Sequence, residues 1–117
     1  MSYLLRPNQE QKQRLEQALE DIVHLLPSTD VLCAIAFGSL VTGDVGAASD
    51  LDLLVVRPTP LRFLDRAADL YELFQVPVGL DLLVYTPEEF ERMKIDNPLI
   101  RHAVRTGRVV YEAKPRA

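Results

Sequence analysis

The chain has 117 residues, 48% of them hydrophobic and 26% charged, with a formal net charge of −4 and a single cysteine. That is enough chain for one domain over 1–117 with its own core, and the balance excludes a disordered chain, a disulfide scaffold and a general basic field for nucleic acid. No segment approaches the roughly eighteen consecutive apolar residues of a membrane span, and MSYLLRPNQEQ has no apolar stretch behind a basic flank, so a cytoplasmic location is the default expectation.

From Asn8 to Leu26, Leu15, Ala18, Leu19, Ile22, Val23 and Leu26 recur at steps of three and four between Glu, Gln and Arg, which predicts an amphipathic helix ending near Pro27. Val31 to Phe37 is too short an apolar run for a typical helix and reads as a buried strand stopping at Gly38. Cys33 lies inside it, where a thiol acts as a small buried hydrophobe. Leu51 to Val56 is a second such strand, ended by Arg57-Pro58. The glycine-rich segment between them, GSLVTGDVGAAS, suits a turn with one helical turn; its length permits either a crossover or an antiparallel pair.

Pro60 can open a helix to about Phe74 with Leu61, Leu64, Ala67, Ala68 and Tyr71 on one stripe, and Phe63, Tyr71 and Phe74 are expected in the core unless that face is an interface. Val78 to Tyr85 is a third strand. Thr86-Pro87-Glu88-Glu89 carries an N-cap, a proline at the first helical position and a capping-box glutamate, and Asn97-Pro98 repeats the start signal. Gly107 is expected to stop this last helix in a left-handed conformation, before a short strand over Val109 to Tyr111 and a frayed tail from Lys114 to Ala117. The order predicts an α+β (α/β) fold, a small mixed β-sheet of three to four strands packed against helices.

Side chains alternate along a strand, so Asp50 and Asp52 project from one face at the start of the second strand. Two like charges beside an apolar sheet are costly unless paired, hydrogen-bonded or bound to a cation. Asp81 interrupts an otherwise apolar third strand, and if that strand lies beside the second, three carboxylates converge; a salt bridge from Asp81 to an arginine is the alternative. Hard oxygen ligands suit magnesium or manganese, which share their remaining positions with substrate phosphates. Gly38 and Ser39, directly after a strand, let backbone amides approach a phosphate, and Gly43 and Gly46 add backbone freedom. His24, near a helix end, and His102, within a helix, read as structural or solvated.

Gly38-Ser39, ten intervening residues and Asp50-Leu51-Asp52 resemble the Gly-Ser plus Asp-x-Asp signature of the DNA polymerase beta-like nucleotidyltransferase superfamily. The similarity extends over nearly the whole chain and is that of a minimal nucleotidyltransferase. It implies metal-dependent transfer of a nucleoside monophosphate, AMP from ATP by resemblance, with pyrophosphate leaving. Asp50 and Asp52 would hold two Mg2+ or Mn2+ ions. Asp81 would hold the ion that activates the acceptor and help receive its proton, while Gly38 and Ser39 hold the β- and γ-phosphates. Ser49 is a weaker candidate for a bond into the site. Many members carry arginines shortly after Gly-Ser, where this chain has Leu40 and Thr42, which implies either a low affinity or rate or an arginine supplied from elsewhere in the chain or by a partner.

Three functions stay open on these residues. Minimal nucleotidyltransferases of this kind often act as the antitoxin of a toxin-antitoxin pair, with a helical HEPN-type protein as partner and acceptor. The same site can instead belong to a non-catalytic module that neutralises its partner by binding, or to a transferase acting on a small molecule or an RNA end. The acidic balance disfavours nucleic acid. Base choice and oligomeric state are not legible.

Overall fold

The computed structural model describes residues 6–114; the expectations for the first five residues and for the tail beyond Lys114 lie outside the described residues. Helix α1 spans Pro7–Leu25 and runs into a 3-10 turn at Leu26–Ser28 that absorbs Pro27. Strand β1 (Cys33–Phe37) leads through Gly38 into the single turn α2 (Ser39–Thr42), and β2 (Leu51–Val56) follows. A second 3-10 turn (Phe63–Asp65) and α3 (Ala68–Leu73) precede β3 (Leu80–Tyr85). Helices α4 (Pro87–Asp96) and α5 (Pro98–Thr106) then lead to β4 (Arg108–Glu112).

The four strands form one mixed sheet in the order β3-β2-β1-β4. The glycine-rich segment turns the chain back, so β1 and β2 are antiparallel, from Cys33 opposite Val56 to Phe37 opposite Asp52. Strand β4 pairs antiparallel with the other edge of β1. Strands β2 and β3 are parallel, with Leu51 opposite Leu80 and Asp52 opposite Asp81. A parallel pair needs a crossover, and the segment carrying α3 supplies it.

Alternation splits the sheet into two faces. Ala34, Ala36, Leu51, Leu53, Val55, Leu82 and Val84 pack with Leu15, Ala18, Leu19 and Ile22 of α1, Leu40 of α2, and Leu70 and Phe74 of the crossover. Ile35, Leu54 and Val56 face the other way, against Ile100 and Ala103 of α5 and the partly buried Phe90 and Met93 of α4. Asp52, in step with Leu54 and Val56, therefore opens onto this second face. Among the described residues no helix is long and apolar enough to cross a membrane.

Two local expectations are corrected. The helix expected from Pro60 to Phe74 is a 3-10 turn and a six-residue helix, and the predicted stripe is not buried: Leu64 is 92% exposed, with Leu61, Phe63 and Tyr71 also open. Arginine side chains take the carbonyls a continuous helix needs: Arg66 Nε donates to Leu61 O (2.8 Å) and Arg57 Nη1 to Arg66 O (3.2 Å). Of the three aromatics expected in the core only Phe74 is buried. Phe63 rests on Tyr85 with ring centroids 5.4 Å apart, and the Tyr71 hydroxyl accepts the Leu82 N–H at 2.9 Å.

Gly107 is the second correction. It ends α5 with φ −73° and ψ 171°, an extended rather than left-handed conformation. Glycine is needed there for room, because a Cβ would collide with the carbonyls of Ala103 and Ala36 and with the Ile35 side chain. The predicted caps are present: Thr86 Oγ1 accepts from Glu89 N while Glu89 Oε1 accepts from Thr86 N, and Asn97 Oδ1 accepts from Leu99 N and Ile100 N.

Candidate active site

Parallel pairing of β2 with β3 sets Asp52 and Asp81 opposite each other, and Asp50, two residues ahead of Asp52, shares their side of the sheet. Asp50 and Asp81 are exposed and Asp52 is half-buried. The Asp52 carboxyl is pushed up to about 6 from its ordinary 3.8, first by burial, then by the negative charges of Asp81 and Asp50, and by a hydrogen bond with Asp81. Asp81 faces this carboxylate; among the described residues no arginine pairs with it.

Two glycines shape the site. Gly38 has φ 79° and ψ −153°, reversing the chain from β1 into α2, and a Cβ on it would overlap the Asp52 carboxylate. Gly79, just ahead of β3, lies under Asp50, whose carboxylate fills the space that a Cβ there would take. Asp52 thus leans on Gly38, and Asp50 on Gly79. In this arrangement no three acidic, histidine or cysteine side chains of the described residues form a ready-made metal cluster. The donor set nonetheless fits a hard divalent cation: three carboxylates on one sheet face, with Asp52 raised by burial and by the negative charges beside it, both of which a cation would offset.

Ser39 opens α2, so its amide and that of Leu40 lie in the first turn, where a helix leaves N–H groups without internal partners. The Gly38 carbonyl accepts from Val41 N and Thr42 N. Gly43 closes the turn with φ 90° and donates to Ser39 O at 2.9 Å, with open space where a Cβ would sit. Ser49 braces the following loop: its Oγ accepts from Gly46 N at 2.8 Å, and its carbonyl accepts from Gln11 Nε2 at 2.8 Å. Leu40 is buried under the turn and Thr42 Oγ1 leans towards Ser39 O, so neither position presents a cation to the site.

His24 and His102 are both exposed, on α1 and α5. Burial, then Glu112, pushes the Cys33 thiol up, which suits an inert strand residue. Gly79 and Gln11 were not among the predicted site residues. No local spacing marks either, since each acts across the fold; the only signal for Gly79 is its place two residues before Asp81.

The family model described as polymerase beta, nucleotidyltransferase matches residues 20–116. No curated protein matches the sequence. Among solved structures, a protein of Sulfolobus solfataricus provisionally named a nucleotidyltransferase is 20% identical with a TM-score of 0.64, over 92% of this chain and 89% of its own. A toxin-antitoxin crystallised with AMP-PNP is 16% identical with a TM-score of 0.45, over 88% of this chain and 74% of its own. The Sulfolobus structure bears out the fold, and the family model covers both the Gly-Ser turn and all three aspartates, so this chain belongs to the polymerase beta nucleotidyltransferase family.

Proposed function

We propose that the chain is a metal-dependent nucleotidyltransferase that moves AMP from ATP to a protein acceptor. The observation that carries this reading is the meeting of Asp52 with Asp81 across a parallel strand pair, with Asp50 beside them and the Gly38-Ser39 turn against Asp52. Divalent cations, when bound, would neutralise these carboxylates, offset the charge of the triphosphate and acidify the acceptor hydroxyl. Asp50 and Asp52 would hold both ions, and Asp81 the one on the acceptor side. The amides at Gly38 and Ser39 would receive the β- and γ-phosphates.

The acceptor oxygen bonds to the α-phosphorus as the bond from that phosphorus to the β-phosphate oxygen breaks, and pyrophosphate leaves. The hydroxyl proton passes to the Asp81 carboxylate. Arg57 and Arg66, which follow β2, are bound to the carboxylates of Asp30, Asp69 and Glu89.

The partner in this reading is a HEPN-type protein, with the chain acting as its antitoxin in the cytoplasm; the support is the resemblance to minimal nucleotidyltransferases. Incubation with α-labelled ATP, Mg2+ and the protein encoded next to this chain tests it. Label should move to that protein and vanish with Asp50→Ala/Asp52→Ala. No transfer to a partner that is demonstrably bound overturns it.

Leu40 and Thr42 favour a second reading, neutralisation by binding alone. In that case the folded double aspartate variant still neutralises the partner, whereas loss of neutralisation excludes it.

A further inference from the structure

Gln11 is the single buried polar side chain among the described residues, 7% exposed in the first half of α1. A buried amide must find partners, and this one has two. Its Nε2 donates to Ser49 O at 2.8 Å, and its Oε1 accepts from Arg14 Nη1 at 3.4 Å. Arg14 Nη2 in turn donates to Pro77 O at 2.6 Å. One turn of helix thereby grips two distant segments. Ser49 stands immediately before Asp50, and Pro77 stands two residues before Gly79, the residue under the Asp50 carboxylate.

We propose that Gln11 and Arg14 are positioning residues that hold the entrances of β2 and β3 in the register bringing Asp50 to Asp52 and Asp81. Neither Asp50 nor Gly79 lies inside its strand; β2 begins at Leu51 and β3 at Leu80. The two entrances meet through one bond, from Leu51 N to Gly79 O at 2.8 Å, at the end of the ladder. Carboxylates that share a cation must be held to within about half an ångström, and the ends of strands do not supply that alone. Two side chains of a long helix, packed on the same sheet through Leu15 and Ala18, do. Both residues precede residue 20, where the family match begins, so the clamp is a feature of this chain outside the matched core.

The inference rests on the reading of the three aspartates as a divalent-cation site, and the test separates the two. Full-length wild type, Gln11→Glu, Arg14→Ala and Arg14→Lys are compared with Ile22→Val, a core change in the far half of α1. Mn2+ affinity is measured by calorimetry, and amide hydrogen exchange is read at 49–52 and 77–81. Gln11→Glu and Arg14→Ala should weaken Mn2+ binding about tenfold, the lower range for loss of a group that orients a metal ligand, and speed exchange at both entrances. Arg14→Lys, which keeps a donor, should recover most of the affinity. Ile22→Val should lower the melting temperature and change neither readout.

Wild-type exchange and affinity in Gln11→Glu and Arg14→Ala would overturn the clamp. Absence of Mn2+ binding by the wild type would overturn the cation reading instead, and the exchange at 49–52 and 77–81 then decides the clamp by itself.

Discussion

Gly38 and Gly79 each leave a space that a carboxylate fills, but for different reasons, and substitution separates them. Gly38 has positive φ, so Gly38→Ala adds backbone strain to the collision with Asp52 and should cost about 1–3 kcal/mol in chemical denaturation. Gly79 has no such constraint; Gly79→Ala should leave stability nearly unchanged while displacing Asp50 and weakening Mn2+ binding, read by calorimetry. Asp52 sets the pH dependence of the cation-free protein. Its folded pKa, about 6, lies above its ordinary 3.8, so the folded state binds the proton more tightly and stability falls as pH rises from about 4 through 6. Asp69 and Glu89 act oppositely: Arg57 and Arg66 hold them below their ordinary values, and their contribution disappears as pH falls through those lowered values. Thermal melts without cation should therefore peak between about pH 4 and 5, and saturating Mg2+ should move the peak towards neutrality. Asp52→Asn should remove the decline above the peak.

At the scale of elements, the crossover between β2 and β3 is held by arginines rather than by helix periodicity. Arg57, at the end of β2, donates through Nη1 and Nη2 to the Asp69 carboxylate at 2.8 and 2.9 Å and through Nε to Asp30 Oδ1 at 2.8 Å. Arg66 donates to both Glu89 oxygens, at 2.6 and 3.2 Å, and to the carbonyls of Leu61 and Val84. Glu89 is at once the Arg66 partner and the capping residue of α4, so it ties the crossover to the helix on the opposite sheet face. Arg66→Ala should destabilise the fold by about 1–3 kcal/mol in urea denaturation, and Arg66→Lys should not rescue it, because a lysine cannot reproduce the planar fork.

For the whole molecule, the carboxylate site is a stability liability without its cations and a stabilising link with them. The Mg2+–ATP complex at about a hundred times its dissociation constant should add about 2.7 kcal/mol to the unfolding free energy, seen as a melting temperature that rises with ligand concentration. Asp50→Asn/Asp52→Asn should abolish that rise. An unchanged melting temperature in the wild type would count against nucleotide binding at this site. The free edge of β3 is blunted locally, since the Tyr71 hydroxyl takes up the Leu82 N–H.

Helix α1, all four strands, the caps of α4 and α5 and the family were legible in the residues, because they rest on short-range signals: steps of three and four, alternation, Thr86 with Glu89, and Gly38-Ser39 ahead of Asp50 and Asp52. The crossover misled because Leu61, Leu64 and Tyr71 have helical spacing, while carbonyls along its path are taken by the side chains of Arg66, within the segment, and Arg57, at its start. Gly107 misled because crowding and positive φ both select glycine and only packing tells them apart. The presence of Asp52 and Asp81 on strands, with Asp50 directly ahead of the first, was written in the sequence. Tertiary structure alone decided that Asp52 faces Asp81, that Asp50 rests on Gly79, and that Gln11 and Arg14 reach the two strand entrances, because pairing and burial join residues that no local period connects.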